Sequence, residues 1–330
     1  MRLKDSFVSN PSITLVRRRR FLRSSALLLG SFVPRAFADD STTLRIGFQK
    51  GGGLLGLLKA QGNLERRLAS QGWGLRWSEF PAGPQLLEAL SVGSVDFGYT
   101  GAPPPIFAQA ASKDLVYVGA EPGTTSGEAI VVKPDSPLKT LAELKGKRVA
   151  VQKGSSANYL LVAALENAGI AFSEIHPIYL TPADARAAFE ANSVDAWSIW
   201  DPYLAAAQSS LQVRVVADYT NLLQTNSFYE SATKFATQQP KIVGLVLEEL
   251  AKAGEWASRN TRAVSELLAP QVGLPVEVVE VWQKRTHYGV QPIDASITAT
   301  QQRVADTFFK QELIPRKVEV ASAVWHWQRA

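Results

Sequence analysis

The chain has 330 residues, no cysteine, three histidines and a formal net charge of +5. Without thiols there are no disulfides, cysteine nucleophiles or cysteine-ligated metals. The positive charge is local: residues 1–38 hold eight Lys or Arg and one acid, and taking these from totals of 35 and 30 leaves 27 against 29, a net of −2 without the basic patch a nucleic-acid binder keeps.

The first predicted element is an export signal. Arg17-Arg18-Arg19-Arg20-Phe21-Leu22-Arg23 precedes an apolar run over 26–33 and the small-residue pattern Ala36-Phe37-Ala38. Arginines followed by Phe-Leu read as a twin-arginine signal, although Arg17 stands where Ser or Thr is common. An ordinary secretory signal with a long basic start is the competing reading. The run is too short for a retained span, which needs about 20 residues. A soluble protein outside the cytoplasmic membrane, starting near Asp39, is expected.

Strands are predicted at 44–48, 75–80, 97–100, 115–118, 129–132, 148–151, 177–180, 196–200 and 213–217, with helical stretches between most of them, as at 156–168 and 183–191. This alternation predicts an α/β fold with parallel sheets covered by helices. After about residue 233 the pattern turns helical, over 240–259, 261–272, 275–285 and 297–310, with Pro240 and Pro275 at first-turn positions. This tail is too apolar to stand alone and is expected to pack back on the first lobe.

Two stretches read almost alike: Arg45-Ile46-Gly47-Phe48-Gln49-Lys50-Gly51-Gly52-Gly53 and Arg148-Val149-Ala150-Val151-Gln152-Lys153-Gly154-Ser155-Ser156, with Gln49 and Gln152 103 positions apart. Ser94-Val95-Asp96-Phe97 and Ser193-Val194-Asp195-Ala196 recur 99 positions apart. Two motifs in one order at a shared offset predict a duplicated α/β unit, since a solenoid repeats every 20–50 residues or so. The lobes are expected at 41–124 plus 225–330 and at 125–224, with crossings in the polar stretches 121–127 and 221–227.

Ligands of open α/β sheets lie beyond the carboxyl ends of the strands. Those ends nominate Gln49 and Gly52, Thr100 and Gly101, Ser155 and Ser156, and Trp200 and Asp201, with Phe228 just past the second crossing. Small residues, amides and hydroxyls dominate, and formal charge is scarce, which suits a weakly basic oxyanion held by neutral donors at helix N-termini. Each residue also has a local role open to it: turn for the glycines, N-cap for the serines and Asp201, core for one of Trp197 and Trp200. Lys50 and Lys153 are expected to point outward. Asp96 and Asp195 read as strand-start residues. His176 reads as structural, and His287 and His326 as surface; no metal site, cofactor or catalytic constellation is expected.

The chain resembles the aliphatic sulfonate-binding proteins of ABC transporters. The likeness lies in the run from Arg45 to Gly51, in Glu79-Phe80-Pro81-Ala82-Gly83-Pro84-Gln85, in Pro104-Pro105-Ile106-Phe107, in Gln152-Lys153-Gly154-Ser155-Ser156, in Tyr179-Leu180-Thr181-Pro182 and in Ile199-Trp200-Asp201-Pro202-Tyr203. The resemblance implies a type II periplasmic binding protein: two α/β lobes, a two-segment hinge and a C-terminal helical extension. It implies a monomeric, non-enzymatic binder that hands an alkanesulfonate to a membrane permease. Taurine, nitrate or a heteroaromatic such as a pyrimidine are alternative ligands, and an enzyme or sensor domain on the same fold is the alternative class. Ala102 stands where that family often has an acid, and Gly52 where Ser is common. The first of these predicts a cleft less hostile to anions.

Overall fold

The computed structural model describes residues 42–50 and 53–325. The export signal, Gly52 and His326 lie outside the described residues. The first half runs β1 (Thr43–Phe48), α1 (Gly53–Gln61), α2 (Asn63–Ala69), β2 (Gly74–Glu79), α3 (Gly83–Ser91), β3 (Phe97–Thr100), α4 (Pro103–Ala110) and β4 (Val116–Glu121). Then come β5 (Glu128–Val132), β6 (Arg148–Val151), α5 (Ser156–Asn167), β7 (His176–Tyr179), α6 (Pro182–Glu190), β8 (Ala196–Trp200), α7 (Tyr203–Leu211) and β9 (Arg214–Asp218). The chain ends with β10 (Ser227–Ser231), α8 (Thr233–Gln238), α9 (Pro240–Ala257), α10 (Thr261–Val272), α11 (Val276–Arg285) and α12 (Ala295–Lys310).

The strands form two five-stranded sheets, ordered β2-β1-β3-β10-β4 and β7-β6-β8-β5-β9. The orders coincide when β6 stands for β1, β7 for β2, β8 for β3, β5 for β10 and β9 for β4. The duplicated unit read from the motifs is therefore present as repeated topology. The sheets are mixed, however, where parallel sheets were expected. β10 runs antiparallel to β3 and β4, and β5 antiparallel to β8 and β9. Each is the first strand made after the chain passes from one sheet to the other. With no crossover helix to carry it back to the far edge, it enters where its neighbours finish and runs against them.

The Ser-Val-Asp repeat has a structural role in both sheets. Asp96 accepts from the Arg45 backbone N–H at 2.9 Å and from its guanidinium, while its own N–H donates to the Arg45 carbonyl at 2.8 Å. Asp195 does the same with Arg148, both backbone bonds being 2.8 Å. These clasps pin β1 to β3 and β6 to β8 at their starts, a role beyond the strand-start position read from the sequence.

The core of the second sheet centres on Trp197, 1% exposed and tilted against Phe189. The helical tail packs on α1 through α9 and α10, as expected, and on α4 through α12, but it also reaches the other half: α11 meets α7, and α12 meets α5. One apolar stripe on α12, including Ile297, Val304 and Phe308, serves both. Phe308 lies 5.0 Å from Phe107 of α4 and 5.9 Å from Tyr159 of α5, ring to ring.

The two passages between the sheets lie side by side. Ser227 pairs with Glu121 at the ends of β10 and β4. Asn226 Nδ2 donates to the Glu121 carbonyl at 3.1 Å. A Cβ on Gly123 would stand 2.0 Å from the Thr225 carbonyl oxygen, so only glycine fits there.

Candidate functional site

The carboxyl ends of β1, β3, β6 and β8, the two passages and the end of α11 enclose a cavity of about 130 Å³. Of the nominated residues, Gln49, Gly101, Ser155, Ser156, Trp200 and Asp201 line it. Gln49 is fixed by its own amide, which donates to the Tyr99 carbonyl at 2.9 Å. Ser155 caps α5: its hydroxyl accepts from the Asn158 N–H at 3.2 Å and donates to the Gln152 carbonyl at 2.7 Å. Its side chain is thus fully engaged, and what it offers the cavity is the orientation of the helix terminus. Lys50 and Lys153 are exposed, the latter over the Tyr179 ring at 5.5 Å.

Two nominated residues stand behind the wall and do not line it. Thr100 is fully buried, with its hydroxyl donating to Glu230 Oε1 at 2.6 Å. Phe228 is 1% exposed and packs edge-on against Tyr117 at 5.0 Å. Thr100 lies on the central strand of the first sheet and Phe228 on its neighbour, and the antiparallel pairing of β3 with β10 places them opposite each other. A reading that ended the sheet before β10 could not see that this face was covered.

The scarcity of charge expected from the strand ends does not hold. Glu121, Glu128 and Asp201 all line the cavity, so Ala102, itself a lining residue, does not leave the cleft free of acids. Burial pushes Glu121 up to about 7, although the Tyr229 hydroxyl, the Tyr99 hydroxyl and the Leu54 N–H at the start of α1 all donate to it. The first helix terminus is thus met by the chain's own carboxyl, with Glu121 Oε2 2.8 Å from where a Cβ on Gly53 would be. Burial also pushes Glu128 to about 7, with Asp201 adding to the rise and the Ser156 hydroxyl opposing it. Asp201 is pushed to about 6 by burial, against the pull of Arg285 and the Ala205 N–H. Arg285 reaches Asp201 at 3.3 Å and Gln208 at 2.6 Å, tying α11 to the second sheet.

Sequence reasoning missed Glu121, Glu128, Arg285 and His287. The strand reading ended β4 at 118, three residues short of Glu121, and began β5 one residue after Glu128. His287, read as surface, is exposed but stands on the cavity rim with Nδ1 3.0 Å from the Gly123 carbonyl. Among the described residues, no group of three His, Asp or Glu is placed to hold a metal ion.

Gly101 and Ser156 face each other across the halves: a Cβ on Gly101 would lie 2.8 Å from Ser156 Cβ. Gly101→Ala is expected to lower stability by about 1–3 kcal/mol through overpacking, read as a lower urea midpoint with unchanged slope.

A family model described as NMT1/THI5 like matches residues 79–263. The chain belongs to the NMT1/THI5-like family. Within this family, the chain is 45% identical over 305 residues to an aliphatic sulfonates-binding protein of Escherichia coli K12, covering 92% of the chain and 95% of the relative. The structure of the alkanesulfonate-binding protein SsuA from Xanthomonas axonopodis pv. citri, bound to MOPS, superposes with a TM-score of 0.83 at 45% identity, covering 86% of this chain and 98% of that one. The periplasmic aliphatic sulphonate binding protein SsuA from Escherichia coli superposes with a TM-score of 0.79 at 46% identity, covering 88% and 94%. The NMT1/THI5-like chain therefore carries the two-sheet α/β architecture of these periplasmic binding proteins, as the sequence resemblance implied.

Proposed function

We propose that the protein is the extracytoplasmic solute-binding component of an ABC importer and captures aliphatic sulfonates in this cavity. The observation that carries the reading is the extent of the likeness: 45% identity spread over 92% of the chain takes in every element that builds the cavity. A sulfonate is permanently anionic and only accepts hydrogen bonds. The start of α5, capped by Ser155 and opening on the cavity at Ser156, supplies oriented backbone N–H donors for such a group. Trp200 offers an apolar wall for the tail, and Gln49, Gly101 and Asp201 complete the contact set. Thr100 and Phe228 support it from behind.

Residues 41–124 with 225–330 form one lobe and 125–224 the other, with the paired passages as the hinge. Ligand entry shifts the lobes toward the closed arrangement. The protein works as a monomer in the periplasm after twin-arginine export, delivers its ligand to a membrane permease and performs no reaction on it.

Short-chain alkanesulfonates are expected to raise the melting temperature in proportion to the logarithm of their concentration, with about 2.7 kcal/mol gained at one hundred times Kd. Taurine, nitrate, sulfate and a pyrimidine serve as comparison ligands. A shift with nitrate alone moves the ligand class, and no shift with any sulfonate sinks the reading. Recovery of the sulfonate chemically unchanged, by mass spectrometry, is the outcome expected of a binder.

A further inference from the structure

The three acids of the cavity differ in what their oxygens already do. Glu121 receives Tyr229 at 2.6 Å, with Tyr99 and the Leu54 N–H as further donors. Asp201 receives the Ala205 N–H at 2.9 Å and the Arg285 guanidinium. Glu128 has the Ser156 hydroxyl beside it, but its Oε2 is buried without a hydrogen-bond partner among the described residues. A buried carboxylate oxygen left unpartnered is costly, whereas a protonated one carries an O–H donor for an incoming acceptor.

The neighbours decide which acid holds the proton. Asp201 takes the cation, Arg285 of α11. Among the described residues, Glu128, next to that carboxylate, has no cation of its own in the wall, and like-charge proximity favours its neutral form. Facing it are Ser156 from α5, Asp201 beyond β8, Tyr219 beyond β9 and, through Asp201, Arg285; His287 stands on the rim. A sulfonate presents only acceptors and stays ionised throughout the working pH range, so the proton in a short contact must come from the protein.

We propose that Glu128 serves this cleft as a neutral carboxylic acid whose O–H donates to a sulfonate oxygen, so that capture of the anion is coupled to retention or uptake of one proton. The proposal rests on the sulfonate reading above. It makes Glu128 a specificity residue: a fully ionised, acceptor-only headgroup is bound, and an anion arriving with its own proton gains nothing from this contact.

The test is calorimetric titration of 1-pentanesulfonate, which has no titrating group, into the full protein between pH 5.5 and 8.5 in buffers free of sulfonates. With the acid titrating near 7, Kd is expected to be level below that pH and to rise about tenfold per pH unit above it. At pH 8, titrations in buffers of different ionisation enthalpy are expected to report uptake of about one proton. Glu128→Gln, which keeps an N–H donor, is expected to retain the low-pH affinity and lose the slope. His287→Gln is expected to keep the slope. A level profile in the native protein, or an unchanged slope in Glu128→Gln, overturns the proposal and leaves the sulfonate reading standing. So does tighter binding at high pH of a sulfonate bearing a cationic amine, which would make Glu128 an ionised counter-charge. Absence of binding at every pH overturns both.

Discussion

Lowering the pH from 8 to 5 is expected to raise the melting temperature of the unliganded protein, with a stability gain on the order of a few kcal/mol. The cause is the set of acids around the cavity. Glu121 and Glu128 are raised from 4.5 to about 7 and Asp201 from 3.8 to about 6, in each case first by burial. Their folded values lie above their unfolded ones. Between those values the native state holds protons that the unfolded chain has released. Their contribution is fully present below about pH 4 and is lost as pH rises through 6 and 7. Asp195 and Asp294, held low by Arg148 and by the Ile297 N–H respectively, work the other way, but only below the ordinary carboxylate range. The maximum is therefore expected near pH 4, with most of the gain already present at pH 5. Scanning calorimetry at constant ionic strength checks it, and Glu121→Gln is expected to flatten the profile. A protein more stable at pH 8 than at pH 5.5 would contradict this account of the cavity.

The sequence pattern reached the fold further than it reached the site. Period-two and period-3.6 patterns located nine of the ten strands, because each of those strands is a short apolar run between turn signals. β10 escaped, since Ser227-Phe228-Tyr229-Glu230-Ser231 puts a fully buried acid in a run of five residues. Glu230 is tolerated there because Thr100 donates to it and burial raises it well above the ordinary carboxylate range, which favours its neutral form. Losing β10 hid both the mixed character of the first sheet and the cover it gives Thr100 and Phe228. Within the site, residues at strand ends were legible from a general rule of α/β sheets. Arg285 was not, because it ends a helix whose place beside α7 is set by tertiary packing far along the chain.

The other large effect is expected at that arginine. Arg285→Met is expected to destabilise the protein by about 3–5 kcal/mol at pH 8 and to weaken sulfonate binding by about 100-fold. The Asp201 side chain is 4% exposed, and removing the guanidinium leaves its charge buried beside Glu128. The defect is expected to shrink toward pH 5, where Asp201 takes up a proton and no longer needs a counter-charge. Arg285→Met combined with Asp201→Asn is expected to recover much of the stability at pH 8, the two changes being strongly non-additive. Urea denaturation of the four proteins of this cycle measures the coupling. Strict additivity would mean that the 3.3 Å contact contributes nothing.

The adjacency of the two passages has a consequence for the history and engineering of the chain. β4 and β10 are neighbouring antiparallel strands whose ends, Glu121 and Ser227, already pair, and β5 and β9 are likewise neighbours, with Ala129 opposite Asp218. Topologically the whole second sheet occupies the turn of a β-hairpin in the first. A tight two-residue turn joining Glu121 to Ser227 would restore an uninterrupted host sheet, at the loss of the contacts that α11 and α12 make with α7 and α5.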